Sequence, residues 1–111
     1  MNSAMLMHSP HRDVLEATPE TDDSKAKLLE ELQSRGRAAV GAKSWMDAKL
    51  LYEKAITLVN SMTTTSVDTN RVAILHSNLS LVQQSMGFFE EARKSAEAAT
   101  QADPPDVSIV Q

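Results

Sequence analysis

Four stretches of the chain place apolar or small residues at intervals of three and four, the spacing that brings side chains onto one face of an α-helix. The clearest stripe consists of Trp45, Ala48, Tyr52 and Ala55. Because the two alanines leave gaps between the larger rings, this stripe predicts a helix that packs closely on a neighbour. The predicted helix runs from Trp45 to about Asn60, and Ser44 with Asp47 is predicted to form a capping box at its start.

A similar stripe recurs nearer the C-terminus and consists of Phe89, Ala92, Ala96 and Ala99. It predicts a helix from about Phe88 to Ala102, which ends before the Asp103-Pro104-Pro105 sequence because proline cannot continue a helix. Each of the two stripes follows another helical stretch. The sequence therefore predicts an all-α fold built from an internal repeat of helical hairpins.

Glycines mark the two helices that precede these stripes. The first helix is predicted to be capped by Asp22-Asp23-Ser24 and to end at Gly41, with a buried face of Leu28, Leu29, Leu32, Gly36, Ala39 and Val40. A glycine inside a helix costs about 1 kcal/mol relative to alanine. Gly36 on that face therefore predicts that a neighbouring helix passes close by. The second such helix is predicted to begin near 68–71 and to end at Gly87, with Val72, Leu75, Leu79, Val82 and Met86 buried.

The remaining segments show no helical period. Residues 1–21 contain Pro10 and Pro19 and are predicted to form a disordered tail. Residues 61–70 are rich in threonine and serine and are predicted to connect the two hairpins. The expected organisation is a helical domain at 22–106 followed by the start of an incomplete third repeat at 107–111.

Composition narrows the function. A formal net charge of −4 argues against nucleic acid or an anionic membrane as the main partner. The chain has no cysteine and no apolar run of the ~20 residues that span a bilayer. Residues 1–7 have no basic flank and no long apolar region, so a secretory signal is not expected, and we expect a cytoplasmic protein. His8 and His11 supply at most half of a metal site. Since no catalytic motif is present either, we expect neither a cofactor, nor a metal, nor enzymatic activity.

The two hairpins resemble the tetratricopeptide repeat (TPR), a helix-turn-helix unit of ~34 residues. The resemblance rests in the first copy on Leu32, Gly36, Ala39, Trp45, Ala48, Tyr52 and Ala55, and in the second on Ser80, Phe89, Ala92, Ala96, Ala99 and Pro104. It implies repeats at about 28–61 and 71–106 that stack into a superhelix with a concave face for a protein or peptide. Ala48 and Ala92 lie 44 positions apart, ten more than one repeat, and residues 61–70 hold the insertion.

Within that family, the stretch Leu75–Ser80 looks like the start of the second repeat in co-chaperones and large immunophilins. Those domains hold the C-terminal tails of heat-shock chaperones with a clamp of lysines, an arginine and two asparagines. Asn78 matches one clamp asparagine, while Gln33 and Arg37 stand where a lysine and the other asparagine would be. Ser108 takes the position of a further lysine. The resemblance thus implies Gln33, Arg37 and Asn78 as peptide-binding residues, with most of the clamp not retained.

Each candidate has a structural alternative. Arg37 is also interpretable as an exposed helical arginine, Asn78 as a packing residue bonded to a neighbouring backbone group, and His76 as either a pH-sensitive contact or interface packing. Two functions follow. The chain is expected to be a non-catalytic TPR-type adaptor, with chaperone tails as candidate ligands. The alternative is a structural subunit or fragment of a longer repeat protein that packs its open C-terminal face on a partner or on itself.

Overall fold

The computed structural model describes residues 10–62 and 69–102, which form five α-helices and no strand. The helices are α1 (Arg12–Leu15), α2 (Asp22–Gly41), α3 (Trp45–Asn60), α4 (Thr69–Ser85) and α5 (Phe89–Ala102). Each long helix packs on the next one along the chain, α2 on α3, α3 on α4 and α4 on α5. The predicted all-α arrangement of helical hairpins is therefore confirmed. None of these helices combines the length and the hydropathy that crossing a bilayer requires.

The start of α2 is capped one residue earlier than predicted. Thr21 is the N-cap, and its hydroxyl accepts a hydrogen bond from the Ser24 backbone N–H at 3.1 Å while the Ser24 hydroxyl lies 3.3 Å from the Thr21 nitrogen. This reciprocal pair satisfies two backbone donors that a helix start leaves open. The capping box predicted at Ser44 and Asp47 is wrong, because no side-chain hydrogen bond caps α3.

The two hairpin turns have the same backbone hydrogen bonds. The Ser44 N–H bonds the Ala39 carbonyl at 2.8 Å, and the Phe88 N–H bonds the Gln83 carbonyl at 2.8 Å. Each bond closes a turn whose preceding residue has a positive φ, Lys43 at 58° and Gly87 at 85°. This is the pattern of a Schellman motif at a helix C-terminus. Equivalent residues lie 44 positions apart, which supports the internal repeat at the level of the backbone.

Lys43 occupies a position that favours glycine, because a Cβ atom in the left-handed region costs roughly 1–2 kcal/mol. We expect Lys43→Gly to raise the free energy of unfolding by about 1 kcal/mol. The matched change in the second turn, Gly87→Ala, is expected to lower it by a similar amount. Urea unfolding followed by circular dichroism measures both. Two changes of the same sign would contradict the equivalence of the turns.

The apolar core lies between the first hairpin and α4. Its most deeply buried large side chains are Leu29, Leu32, Leu51, Tyr52, Leu75 and Val82. The second hairpin is joined differently, by short hydrogen bonds between buried polar groups. The Ser95 hydroxyl donates to Gln83 Oε1 at 2.7 Å, and the Ser80 hydroxyl donates to the Ala92 carbonyl at 2.7 Å. At the positions 44 residues before Gln83 and Ser95, the first hairpin buries Ala39 and Leu51.

Residues 10–21 contain the short helix α1 and do not form the disordered tail that the sequence predicted. α1 packs on α2 and α3, and Val14 is buried. Arg35 on α2 donates to both carboxylate oxygens of Asp13, at 2.8 and 3.0 Å, and Lys54 on α3 donates to the Ala17 carbonyl at 2.8 Å. These hydrogen bonds from Arg35 hold the pKa of Asp13 below its usual value. The contacts join residues 22 and 37 positions apart, so local periodicity could not reveal them. Residues 1–9 lie outside the described part of the chain.

Candidate functional site

Gly36 and Tyr52 are in close contact where α2 crosses α3. A Cβ atom placed on Gly36 would stand 2.7 Å from Tyr52 Cζ, 2.8 Å from Cε1 and 3.1 Å from the hydroxyl oxygen. Such distances are far inside van der Waals contact, so only glycine leaves room for the ring. The prediction that Gly36 marks a close neighbour is confirmed, and the hydroxyl end of the ring is the part that lies against it.

The Tyr52 hydroxyl extends from α3 towards α4. Asn78 Nδ2 on α4 donates to the hydroxyl oxygen over a long distance of 3.4 Å. Burial raises the pKa of Tyr52, and the positive charge of Arg37 and the bond from Asn78 partly oppose that rise. The hydroxyl is therefore protonated at neutral pH and able to donate a hydrogen bond. The alternative interpretation of Asn78 was a packing residue bonded to a backbone group. Its observed partner is instead the Tyr52 side chain of α3.

These groups line a cavity of about 160 Å³ to which three helices contribute. Arg37 and Val40 come from α2, Tyr52 from α3, and Asn78 and Leu81 from α4. The exposed Leu81 side chain forms part of the wall. Arg37 is also exposed and takes part in none of the ion pairs seen among the described residues. The cavity therefore presents one uncompensated cation, two hydrogen-bonding side chains and two aliphatic ones.

We call the faces of α2 and α4 that meet at this cavity and at the Arg71–Glu30 ion pair the α2–α4 groove. At one end Arg71 of α4 binds Glu30 of α2 at 3.0 Å. Along α4, Ile74 lies one turn before Asn78 and Leu81 nearly one turn after it, since residues three and four apart share a helix face. Ile74 is 44% exposed and Leu81 is 52% exposed, so two large apolar side chains border the groove.

The three residues implied as peptide-binding do not have equal access to this groove. Arg37 and Asn78 line the cavity together. Gln33 does not line it and is only 8% exposed, so it has little surface to offer a ligand. The sequence reasoning missed Tyr52, Val40 and Leu81 as members of the site. Tyr52 was assigned to the repeat stripe alone, and no sequence signal showed that its hydroxyl reaches the gap between α2 and α4.

The repeat-signature residues lie mostly inside the fold. Buried members are Leu32, Gly36, Ala48, Tyr52, Ala55, Ser80, Ala92 and Ala99. Trp45 packs against the core while half-buried, whereas its counterpart Phe89 is 70% exposed. α3 is followed by α4, which packs on it, whereas no described helix follows α5. Pro104 and Ser108 lie outside the described residues.

A second cavity of about 540 Å³ lies between α3, α4 and α5. It is lined by Glu53, Ile56, Thr57, His76, Leu79, Lys94, Ser95 and Ala98. Burial lowers the pKa of His76, so this imidazole is neutral at physiological pH. Within residues 10–62 and 69–102, no cluster of histidine, aspartate and glutamate side chains has the arrangement needed to hold a metal ion. The cavity is larger than the first, and its charged lining residues are of both signs, Glu53 and Lys94.

Comparisons with known proteins add no relative. No protein-family model matches the chain, and no curated protein or solved structure matches it.

Proposed function

We propose that this chain is a non-catalytic adaptor of the TPR type that binds a peptide segment of another protein in the α2–α4 groove. The observation that carries the proposal is the position of Arg37, an exposed cation without an ion pair, beside Asn78, the Tyr52 hydroxyl and the exposed Leu81. Charged hydrogen bonds contribute strongly to binding, and aliphatic walls add apolar contact. The repeated turn geometry supports the family assignment.

The resemblance to co-chaperone TPR domains makes chaperone tails the first class of ligand to test. Peptides that end in Glu-Glu-Val-Asp represent chaperone tails, and a cytoplasmic location would bring the chain to such partners. A display library of random dodecapeptides extends the test beyond that one ligand class. Titration with labelled peptides, followed by fluorescence anisotropy, then gives the affinity. If neither the tail peptides nor any library peptide binds in the α2–α4 groove, the adaptor proposal is wrong.

Reversing the charge at Arg37 tests the groove directly. We expect Arg37→Glu to weaken binding of an acidic peptide by at least tenfold, because it replaces an attractive charge with a repulsive one. The matched control is Lys94→Glu, which makes the same type of charge reversal on an exposed residue of α5 that lines the second cavity and not the α2–α4 groove. Equal losses in the two variants would indicate long-range attraction only, and not a site at Arg37.

A structural subunit is the second candidate, and Phe89 is the observation that favours it. An aromatic side chain that is 70% exposed next to the buried Ala92 gives α5 an uncovered apolar edge. Sedimentation velocity at micromolar concentration, with Phe89→Ser for comparison, separates the two functions. A stable dimer that Phe89→Ser dissociates, together with no peptide binding, would favour the structural role.

A further inference from the structure

The shape and chemistry of the cavity in the α2–α4 groove indicate what kind of group it receives. Val40 and Leu81 form its aliphatic walls, and Arg37, Asn78 and the Tyr52 hydroxyl provide its polar groups. All three polar groups can donate hydrogen bonds, since arginine has no acceptor, the Asn78 amide has two N–H groups and the tyrosine is protonated. A ligand that satisfies them must therefore carry an acceptor, and next to one cation the favoured acceptor is a single carboxylate.

The volume limits the size of that group. A water molecule occupies about 30 Å³ of liquid, so a cavity of about 160 Å³ has room for a single side chain and not for a folded segment. A glutamate side chain matches both parts of the cavity, because its two methylene groups can contact Val40 and Leu81 while its carboxylate meets Arg37. A chain-terminal carboxylate has no such aliphatic stem and would leave the walls without contact.

The charge around the groove favours one carboxylate and not a pair. Arg37 is the cation at the cavity. The arginine of α4, Arg71, already forms an ion pair with Glu30 at 3.0 Å. Gln33 is buried and adds no cation. A segment that brings two carboxylates to the cavity would therefore leave one of them without a partner, which opposes binding.

Ile74 supplies a second feature of the ligand. It lies four residues before Asn78, so the two side chains are about one helical turn, or ~6 Å, apart along α4. The Ile74 side chain is 44% exposed, so an apolar side chain of the ligand that covers it would contribute favourable free energy of binding. The groove thus matches an acidic side chain with an apolar side chain one turn away.

We propose that the α2–α4 groove binds an internal segment of a partner protein, whose glutamate side chain enters the cavity at Arg37, Asn78 and Tyr52 and whose neighbouring apolar side chain covers Ile74. This inference rests on the proposed adaptor function and specifies its ligand. The free C-terminus of the partner takes no part in the binding. Leu81 and the Tyr52 hydroxyl then become specificity-determining groups beside Arg37.

Two display libraries test this proposal. One presents random dodecapeptides within a loop, with no free C-terminus, and the other presents them at a free C-terminus. We expect the internal library to enrich glutamate with an aliphatic residue two to four positions away. We expect Arg37→Gln to abolish the glutamate preference, while Lys94→Gln, the control on α5 outside the groove, leaves it intact. Enrichment in the C-terminal library alone would overturn this inference and leave the adaptor function standing, whereas no enrichment in either would remove the adaptor function itself.

Synthetic peptides then isolate the carboxylate. The best internal sequence is made acetylated and amidated, with glutamate, glutamine or aspartate at the selected position. We expect glutamine to weaken binding about tenfold, and aspartate to weaken it less because only its stem is shorter. Tyr52→Phe is expected to weaken the glutamate peptide about threefold and the glutamine peptide by much less. An equal effect of Tyr52→Phe on both peptides would show that the hydroxyl does not contact the carboxylate and would overturn its assigned role.

Discussion

Leu51→Ala is expected to lower the free energy of unfolding by about 3 kcal/mol, the largest stability loss that we predict for a single core position. The Leu51 side chain has no exposed surface and belongs to the cluster that joins α2, α3 and α4. Truncating a buried leucine removes its apolar contacts and leaves a cavity, which together cost about 2–5 kcal/mol. Because a domain of this size has only about 5 kcal/mol of total stability, about 2 kcal/mol would remain, and the unfolded fraction should rise to a few per cent.

Leu81→Ala is the matched control for this experiment. The residue type and the change are the same, but 52% of Leu81 is exposed, so we expect a loss below about 1 kcal/mol. Urea unfolding monitored by circular dichroism and by the fluorescence of Trp45, the single tryptophan, measures both variants. Similar losses at the two positions would show that α3 is not the central element of the core. The control is also useful in its own right, because a folded Leu81→Ala protein can be tested for peptide binding.

Gly36→Ala is expected to destabilise the protein by about 1 kcal/mol, although alanine is the better helix former. The intrinsic preference of an α-helix for alanine over glycine contributes about 1 kcal/mol in favour of the variant. Against this, the new Cβ would stand 2.7 Å from Tyr52 Cζ, and because Tyr52 is almost fully buried, the ring has to leave its packed position to make room. Overpacking of this kind costs about 1–3 kcal/mol. We expect the steric cost to exceed the gain in helix propensity.

Two further variants show whether the Tyr52 ring is the cause. Gly41→Ala places the same Cβ where nothing lies within 4 Å, so we expect unchanged or slightly increased stability. Combining Gly36→Ala with Tyr52→Leu removes the ring atoms that would collide, and the double variant should lose less stability than the sum of the two single changes. Additive losses would show that the close approach of Gly36 and Tyr52 is not what Gly36→Ala disrupts. Displacing Tyr52 should also weaken peptide binding, since its hydroxyl would leave the α2–α4 groove.

The long helices could be predicted from local sequence because their determinants lie within a few residues of one another. The stripe that begins at Trp45 and the proline pair after Ala102 predicted α3 and the end of α5 closely. The turn at Gly87 could also be predicted from the sequence, because a glycine commonly follows the last residue of a helix. The helix end predicted at Gly41 is confirmed, but the positive φ at Lys43 could not be predicted, since the residue that adopts it is not a glycine.

The candidate site was only partly predictable. The repeat spacing placed Arg37 and Asn78 on adjacent helices, and both line the same cavity. That Gln33 is buried while Leu81 is exposed could not be foreseen, because the rotation of a helix about its own axis depends on all of its neighbours. Docking of α1 through Asp13 and Arg35 depended on a contact between positions 22 residues apart, for which no local pattern exists.

The sequence by itself therefore determined where the chain is helical, which faces are apolar and that one hairpin follows another in the same pattern. Periodicity and turn chemistry act over four or five residues, so they are visible without coordinates. Only the tertiary structure decided that the Tyr52 hydroxyl reaches the gap between α2 and α4, and that Arg37 faces a cavity without an ion pair among the described residues. Those features arise from the simultaneous packing of three helices. Because Gly36 has no side chain, the Tyr52 ring can lie against α2 and place its hydroxyl in the gap.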